Sequence, residues 1–282
     1  MLTIKHLDHI SMGHESWQQQ SDWLQRVLGF KRLHAFPAGG GDFDGSVSQA
    51  PGTDIEFEVI SPVGPKSFVQ KFLNERGPGL HHITVEVPDI EVAAIQLEAL
   101  GLTPFGGITQ DSSWKMTYVH PKESGGILWQ LFEPYKHLAP QDRSTTGGAV
   151  NLKRVDHVSM AVRDLQAQID WQERVFGMEQ MERWSDDALG YDGCVMRIPN
   201  SQLQFEIIAP ATPDSFVEKY IATRGQGMHH ICCEVASVDA AATALRAEGI
   251  EPFGGIIESD WHRHTFIHPR DSGGVLFQLF EE

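Results

Sequence analysis

Positive charge, cysteine and long apolar runs are all scarce in this 282-residue chain. Lys and Arg number 22 against 38 Asp and Glu, a formal net charge of −16 at pH 7. Such a chain is poorly suited to phosphate backbones and anionic lipid surfaces, so nucleic acid and membrane are not expected partners. The three cysteines, Cys194, Cys232 and Cys233, form no CxxC pair. An odd, small set argues against a disulfide scaffold and for a reducing compartment, and a cytoplasmic location is expected. Cys232 and Cys233 are neighbours in a strand-like run, so they should point to opposite faces as small core fillers. No apolar run approaches the roughly 18–20 residues of a membrane span. The opening MLTIKHLDHI lacks the basic-then-apolar build of a secretory leader and reads as a first strand. Apolar residues at 41% and charged residues at 21% describe an ordinary globular composition. The length predicts two domains or one large one.

What the chain does have is an internal repeat. LDHISM near the start returns as VDHVSM, with His157 lying 148 residues after His9. The same offset relates Trp23 to Trp171, Gly29 to Gly177, Glu58 to Glu206, His82 to His230 and Gln130 to Gln278. SFVQKFLNERGPGLHHI returns as SFVEKYIATRGQGMHHI, and HPKESGGILWQLFE as HPRDSGGVLFQLFE. A constant offset means almost no net insertion, so both halves must share one fold. The expected domains are 1–135 and 151–282. KHLAPQDRSTTGGAV, residues 136–150, falls outside the pattern and is rich in turn formers, as a linker should be.

Each half divides again. His9 and His82 are 73 residues apart, and Glu58 and Gln130 are 72 apart. Within each quarter a strand leads into a helix and then into further strands. Leu165, Ile169 and Phe176 share a helical face, with Asp164 as N-cap and Gly177 just past the end. Ile90, Ala93, Ala94 and Leu97 form a similar stripe, capped by Asp89 and stopped by Gly101. Alternating runs such as DIEFEVI and ILWQLFE read as strands. The expected class is α+β with mostly antiparallel strands and four copies of one unit.

Strand alternation constrains the chemistry. In HHI, His81 and His82 point opposite ways, and repetition alone does not choose between them. Glu56 and Glu58 share a face, but the second copy has Gln204 and Glu206, which favours Glu58. Gln130 and Gln278 sit mid-strand among apolar residues, where an amide needs a partner. Each half therefore offers His, Glu, His and Gln on strands. A divalent ion accounts for all four at once, because imidazole nitrogen, carboxylate and amide oxygen suit Zn, Ni, Co, Mn or Fe(II). The alternative is a set of structural residues copied by duplication.

DHISM, FEVISP, KFLNERGPGLHHITVEV and HPKESGGILWQLFEP, with their second copies, carry a resemblance. Each half resembles a methylmalonyl-CoA epimerase of the vicinal oxygen chelate superfamily, which also holds glyoxalase I and extradiol dioxygenases. The resemblance covers nearly all of both halves and misses the linker. It implies four βαβββ modules in two tandem glyoxalase-like domains, with two modules forming each metal cup. It places metal ligands at His9, Glu58, His82 and Gln130, and at His157, Glu206, His230 and Gln278, giving two sites per chain. The family order is usually His, Gln, His, Glu; here it is His, Glu, His, Gln. One carboxylate remains per site, so Glu58 and Glu206 are the expected proton-accepting residues. Whether a cup forms within or across halves stays open.

Three functions follow as expectations. The first is a metal-dependent isomerase or lyase that moves a proton next to the chelated carbonyl of a small substrate. The second is a non-haem Fe(II) ring-cleaving dioxygenase acting on a diol, although that branch usually carries its carboxylate in the last strand. The third is a small-molecule binding protein without turnover. A monomer or a homodimer is compatible with four modules. Lys115 and Arg263 are read as loop cations near the HP motifs, with a solvated role preferred over anion binding. His14, His120, His262, His264 and His268 are candidate substrate contacts, with a structural role favoured for His120 and His268. Trp23 and Trp171 are read as core. GGG at 39–41 lacks the GK[ST] ending of a phosphate loop and reads as a flexible connection.

Overall fold

The computed structural model describes residues 1–38, 41–136, 144–259 and 263–282. Residues 39 and 40 of the glycine run, 137–143 of the expected linker and His262 lie outside the described residues. The first half runs β1 (His6–Gly13), α1 (Trp17–Trp23), β2 (Lys31–Phe36), β3 (Phe43–Gln49), β4 (Glu56–Pro62), α2 (Phe68–Arg76), β5 (Gly79–Glu86), α3 (Ile90–Ala99), β6 (Phe105–Gln110), β7 (Trp114–Val119) and β8 (Leu128–Pro134). The second half repeats it without α1's π-helical extension at Leu24–Leu28: β9 (Leu152–Ala161), α4 (Leu165–Phe176), β10 (Glu179–Asp186), β11 (Tyr191–Arg197), β12 (Gln204–Pro210), α5 (Phe216–Arg224), β13 (Gly227–Val235), α6 (Val238–Ala247), β14 (Phe253–Glu258), β15 (Arg263–Ile267) and β16 (Leu276–Glu281).

Helix ends follow local chemistry. Asp164 caps α4 by accepting from the Ala167 N–H, and Gly177 ends it in the left-handed region at φ 65°. Asp89 accepts from Val92 N–H at the start of α3, whose Ile90, Ala93 and Leu97 are buried; Ala94 is only half-buried.

Each half builds one eight-stranded sheet, in the orders β2-β3-β4-β1-β5-β8-β7-β6 and β10-β11-β12-β9-β13-β16-β15-β14. The pairing left open by the sequence is therefore within a half. Most neighbours are antiparallel. β5 and β8 pair in parallel, as do β13 and β16. That pairing needs the crossover which α3 and α6 supply. One face of each central strand is core. On β8, Trp129 and Leu131 are fully buried, while Gln130 between them points to the other face. Cys194, Cys232 and Cys233 are all buried and unbridged.

The chain forms two compact units that do not coincide with its halves. In the unit of Met1–His9, His82–Ala139 and Val158–His229, the Trp129 ring packs at a tilt against Phe176 at 4.5 Å and Phe205 at 5.7 Å. There the SGG motif meets a helix: Gln168 donates to Ser124 C=O, and a Cβ on Gly125 would lie 2.1 Å from the Gln168 amide oxygen. In the unit of Ile10–His81, Pro140–His157 and His230–Glu282, Trp23 packs on Phe277, and Gln20 donates to Ser272 C=O at 3.0 Å. Trp23 and Trp171, expected in the core, are half-buried, each with a ring neighbour, Phe277 and Phe176 respectively. The end of the expected linker is docked, because Ala149 and Val150 donate to the carbonyls of Arg26 and Val27.

Candidate metal centres

Strands β4, β1, β5 and β8 are consecutive neighbours at the middle of the first sheet, and they carry Glu58, His9, His82 and Gln130. β12, β9, β13 and β16 bring Glu206, His157, His230 and Gln278 to the same places in the second. Ligand-capable atoms of His9, Glu58 and His82 all lie within 4.8 Å of one another, and so do those of His157, Glu206 and His230. The His9 and His82 rings meet edge-on at 5.5 Å, and the His157 and His230 rings at 5.6 Å.

Gln130 joins the first triad through one hydroxyl. Thr84 Oγ1 lies 2.8 Å from Gln130 Oε1 and 2.9 Å from His9 Nε2, and its one proton serves either acceptor. Thr84 is two residues from His82 on β5, so both face the site. His9 Nδ1 lies 2.7 Å from Asp8 Oδ2. A carboxylate only accepts, so Nδ1 carries the proton and Nε2 presents its lone pair to the site. Asp156 holds His157 in the same way at 2.7 Å. Burial pushes the Asp156 carboxyl up, but the His157 hydrogen bond and charge, with Arg154, outweigh it and hold the group below the usual range. Ser11 Oγ donates to Glu58 Oε2 at 2.6 Å, fixing that carboxylate.

The other histidine of each HHI run has a different place. His81 lies 4.8 Å from the Phe72 ring and 5.7 Å from Phe68; His229 lies 4.5 Å from Tyr220. Burial lowers the pKa of each to about 4, with the Arg76 charge adding to the effect on His81. These are neutral packing residues.

Several minor candidates prove structural. Lys115 and Arg263 stand on β7 and β15 rather than in loops. Lys115 pairs with Glu91 at 2.8 Å, and Arg263 with Asp239 and Glu281 at 2.9 and 2.8 Å. His120 and His268 accept from the Lys122 and Arg270 N–H groups and meet the Phe105 and Phe253 rings edge-on. His14 Nδ1 sits 3.0 Å from the Ser16 carbonyl. His264 is half-buried, and register puts it on the Gln278 face: Phe266 pairs with Gln278 and His264 with Phe280.

The residues that sequence reasoning passed over are Asp8, Asp156, Ser11, Thr84 and Tyr191. The repeated "DH" dipeptide was the available signal for the two aspartates. Tyr191 lies within electrostatic reach of Glu206. Its hydroxyl pKa is raised by burial and by the Glu206 and Asp186 charges, against a lowering hydrogen bond from Trp184.

The donor set fits a divalent ion: in each half two imidazole nitrogens and a carboxylate oxygen converge, and in the first half Thr84 links Gln130 Oε1 to His9. The pattern described as "Glyoxalase/Bleomycin resistance protein/Dioxygenase superfamily" matches residues 8–118 and again 156–266. The mitochondrial methylmalonyl-CoA epimerase of Homo sapiens is 30% identical over 137 residues, 48% of this chain and 77% of its own. The ethylmalonyl-CoA/methylmalonyl-CoA epimerase of Cereibacter sphaeroides is 30% identical over 133 residues, 45% of this chain and 96% of its own. A variant of 4-hydroxymandelate synthase from Streptomyces coelicolor superposes with a TM-score of 0.72 at 15% identity, covering 99% of this chain and 93% of that one. That last likeness shows the shared fold of two tandem glyoxalase-like domains. With both halves matched, the chain belongs to the Glyoxalase/Bleomycin resistance protein/Dioxygenase superfamily.

Proposed function

We propose that the chain is a divalent-metal-dependent isomerase or lyase that moves a proton next to a carbonyl of a small substrate. One site comprises His9, Glu58, His82 and Gln130, and the other His157, Glu206, His230 and Gln278. Each half, 1–135 and 151–282, supplies one complete site, with 136–150 between them. The observation that carries this reading is the pair of convergent His–Glu–His triads. A bound Zn, Ni, Co, Mn or Fe(II) ion would supply Lewis acidity at the substrate carbonyl. The chain's residues do the rest. Asp8 and Asp156 keep the proton on Nδ1 of His9 and His157, so that Nε2 faces the site. Glu58 and Glu206 accept the substrate proton, since Gln130 and Gln278 offer no comparably basic atom. Ser11 holds one oxygen of Glu58 and thereby orients the other.

The 30% identity of each epimerase relative supports proton transfer as the chemistry. The test is solvent exchange. Metal-loaded protein is incubated in D₂O with branched acyl thioesters and with α-hydroxy and α-keto acids. The expected result is deuterium at the carbon beside the carbonyl, lost in a Glu58→Gln/Glu206→Gln double variant. Absence of exchange across the panel, with oxygen uptake on catechols under iron, would overturn it in favour of the second reading. That reading, a non-haem Fe(II) dioxygenase, has one observation in its favour: two histidines and one carboxylate form its usual donor set.

A further inference from the structure

A second group of metal-capable side chains stands behind the first candidate centre. His6 Nε2 lies 3.8 Å from Asp8 Oδ1 and 3.8 Å from Glu86 Oε2. Ligand-capable atoms of the three residues all fall within 4.8 Å of one another. Each carboxylate turns its other oxygen elsewhere: Asp8 Oδ2 to His9 Nδ1 at 2.7 Å, and Glu86 Oε1 to Lys5 Nζ at 2.6 Å. Glu86 is buried, while His6 is about one-third exposed, so the cluster is reachable from solvent.

The duplicated half shows what this geometry takes. Asp156 and Glu234 repeat Asp8 and Glu86, and Lys153 repeats Lys5 with a 2.7 Å contact to Glu234. The position of His6 is taken by Arg154. Its guanidinium bridges both carboxylates, Nη1 to Asp156 Oδ1 and Nε to Glu234 Oε2 at 2.6 Å. Lys153 and Arg154 thus face Asp156 and Glu234, and Arg154 also lies 3.6 Å from Glu282. In the first half Lys5 pairs with Glu86 at 2.6 Å, and a histidine stands in place of the bridging guanidinium.

We propose that a divalent cation binds at His6, Asp8 and Glu86, in the place that Arg154 fills in the other half. One imidazole nitrogen and two carboxylate oxygens suit Zn, Co, Ni or Cd better than Mg or Ca, which take oxygen alone. Ligands about 2.1 Å from a common ion sit roughly 3–4 Å apart, so the 3.8 Å spacings require only small movements. An ion here draws on the same carboxylate that orients His9. Excess divalent cation should thus weaken the first centre and leave the second untouched; that consequence, unlike the binding itself, rests on the function proposed above.

The test is equilibrium dialysis of the full chain against Cd²⁺, comparing wild type with His6→Arg and His6→Gln. His6→Arg copies an arrangement the fold already accommodates, and His6→Gln covers the case in which the arginine variant fails to fold. The expected result is one Cd²⁺ equivalent fewer in both variants. Equal binding by wild type and a folded variant would overturn the proposal. If wild type binds one equivalent and the variants none, the site stands and the two sheet-centre sites fail. If all three proteins bind two, the reverse holds.

Discussion

The two candidate centres share their inner ring and differ in the ring around it. His, Glu, His and Gln recur without change at the 148-residue offset. Around them, Thr84 of the first half becomes Cys232, Met116 becomes His264, Phe43 becomes Tyr191, Phe36 becomes Trp184 and His6 becomes Arg154. In the first half Phe36 and Phe43 meet edge-on at 6.0 Å, and Gln130 donates to the Met116 sulfur. In the second, the same wall offers an indole N–H and a phenol beside Glu206. Ligand atoms must converge to hold an ion, so few replacements serve; the surrounding wall needs only to fill space, and there the copies have diverged. Two candidate centres with one inner donor set and two different walls are the outcome.

The largest expected effect comes from the inner ring. His82→Ala should weaken metal binding at the first centre by more than about 100-fold, beyond the 10–100-fold usual for outer-sphere changes. His230→Ala should do the same at the second. Calorimetric titration of each variant should show one strong site lost and one retained. Loss of both in either variant would break the picture of two separate sites.

Next come the aspartates behind the histidines. Asp8→Asn and Asp156→Asn should each cost about 10–100-fold in affinity at their own site. Isothermal titration distinguishes them from the inner-ring variants by the size of the loss.

Much of this was legible in the sequence. The fixed offset gave two equal halves, alternation set His81 and His82 on opposite faces, and Asp164 and Gly177 marked both ends of α4. The resemblance then selected His82 over His81. What remained hidden depends on distance across strands. The Thr84 hydroxyl between His9 and Gln130 joins residues 75 and 46 positions away. The compact units also escaped, because the glutamines of α1 and α4 meet SGG motifs far along the chain. Lys115 and Arg263 were misplaced in loops because neighbouring turn formers masked short strands.

A smaller effect is expected at the wall. Tyr191→Phe copies the first half's Phe43 and should lower turnover at the second centre a few-fold, leaving its metal affinity unchanged. Steady-state kinetics in the His82→Ala background isolates that centre. An effect on metal binding instead would place Tyr191 in the inner ring.

The smallest effect concerns the thiols, all in the second half. Burial pushes the Cys194 thiol up to about 11 and the Cys233 thiol well above its ordinary value. Thiolate stays a minor form until the pH nears those values, so Cys194 and Cys233 should resist a thiol reagent from pH 7 to 9 and react only on unfolding. Fast reaction of Cys194 or Cys233 in the native protein would contradict this.

Metal content per chain tests the central claim most directly. The protein is purified under nitrogen without chelator or affinity metal, then exchanged free of loosely held ions. Two equivalents of a transition metal per chain, falling to one in His82→Ala and in His230→Ala, is the predicted result. No metal on isolation and none taken up on addition would contradict the account.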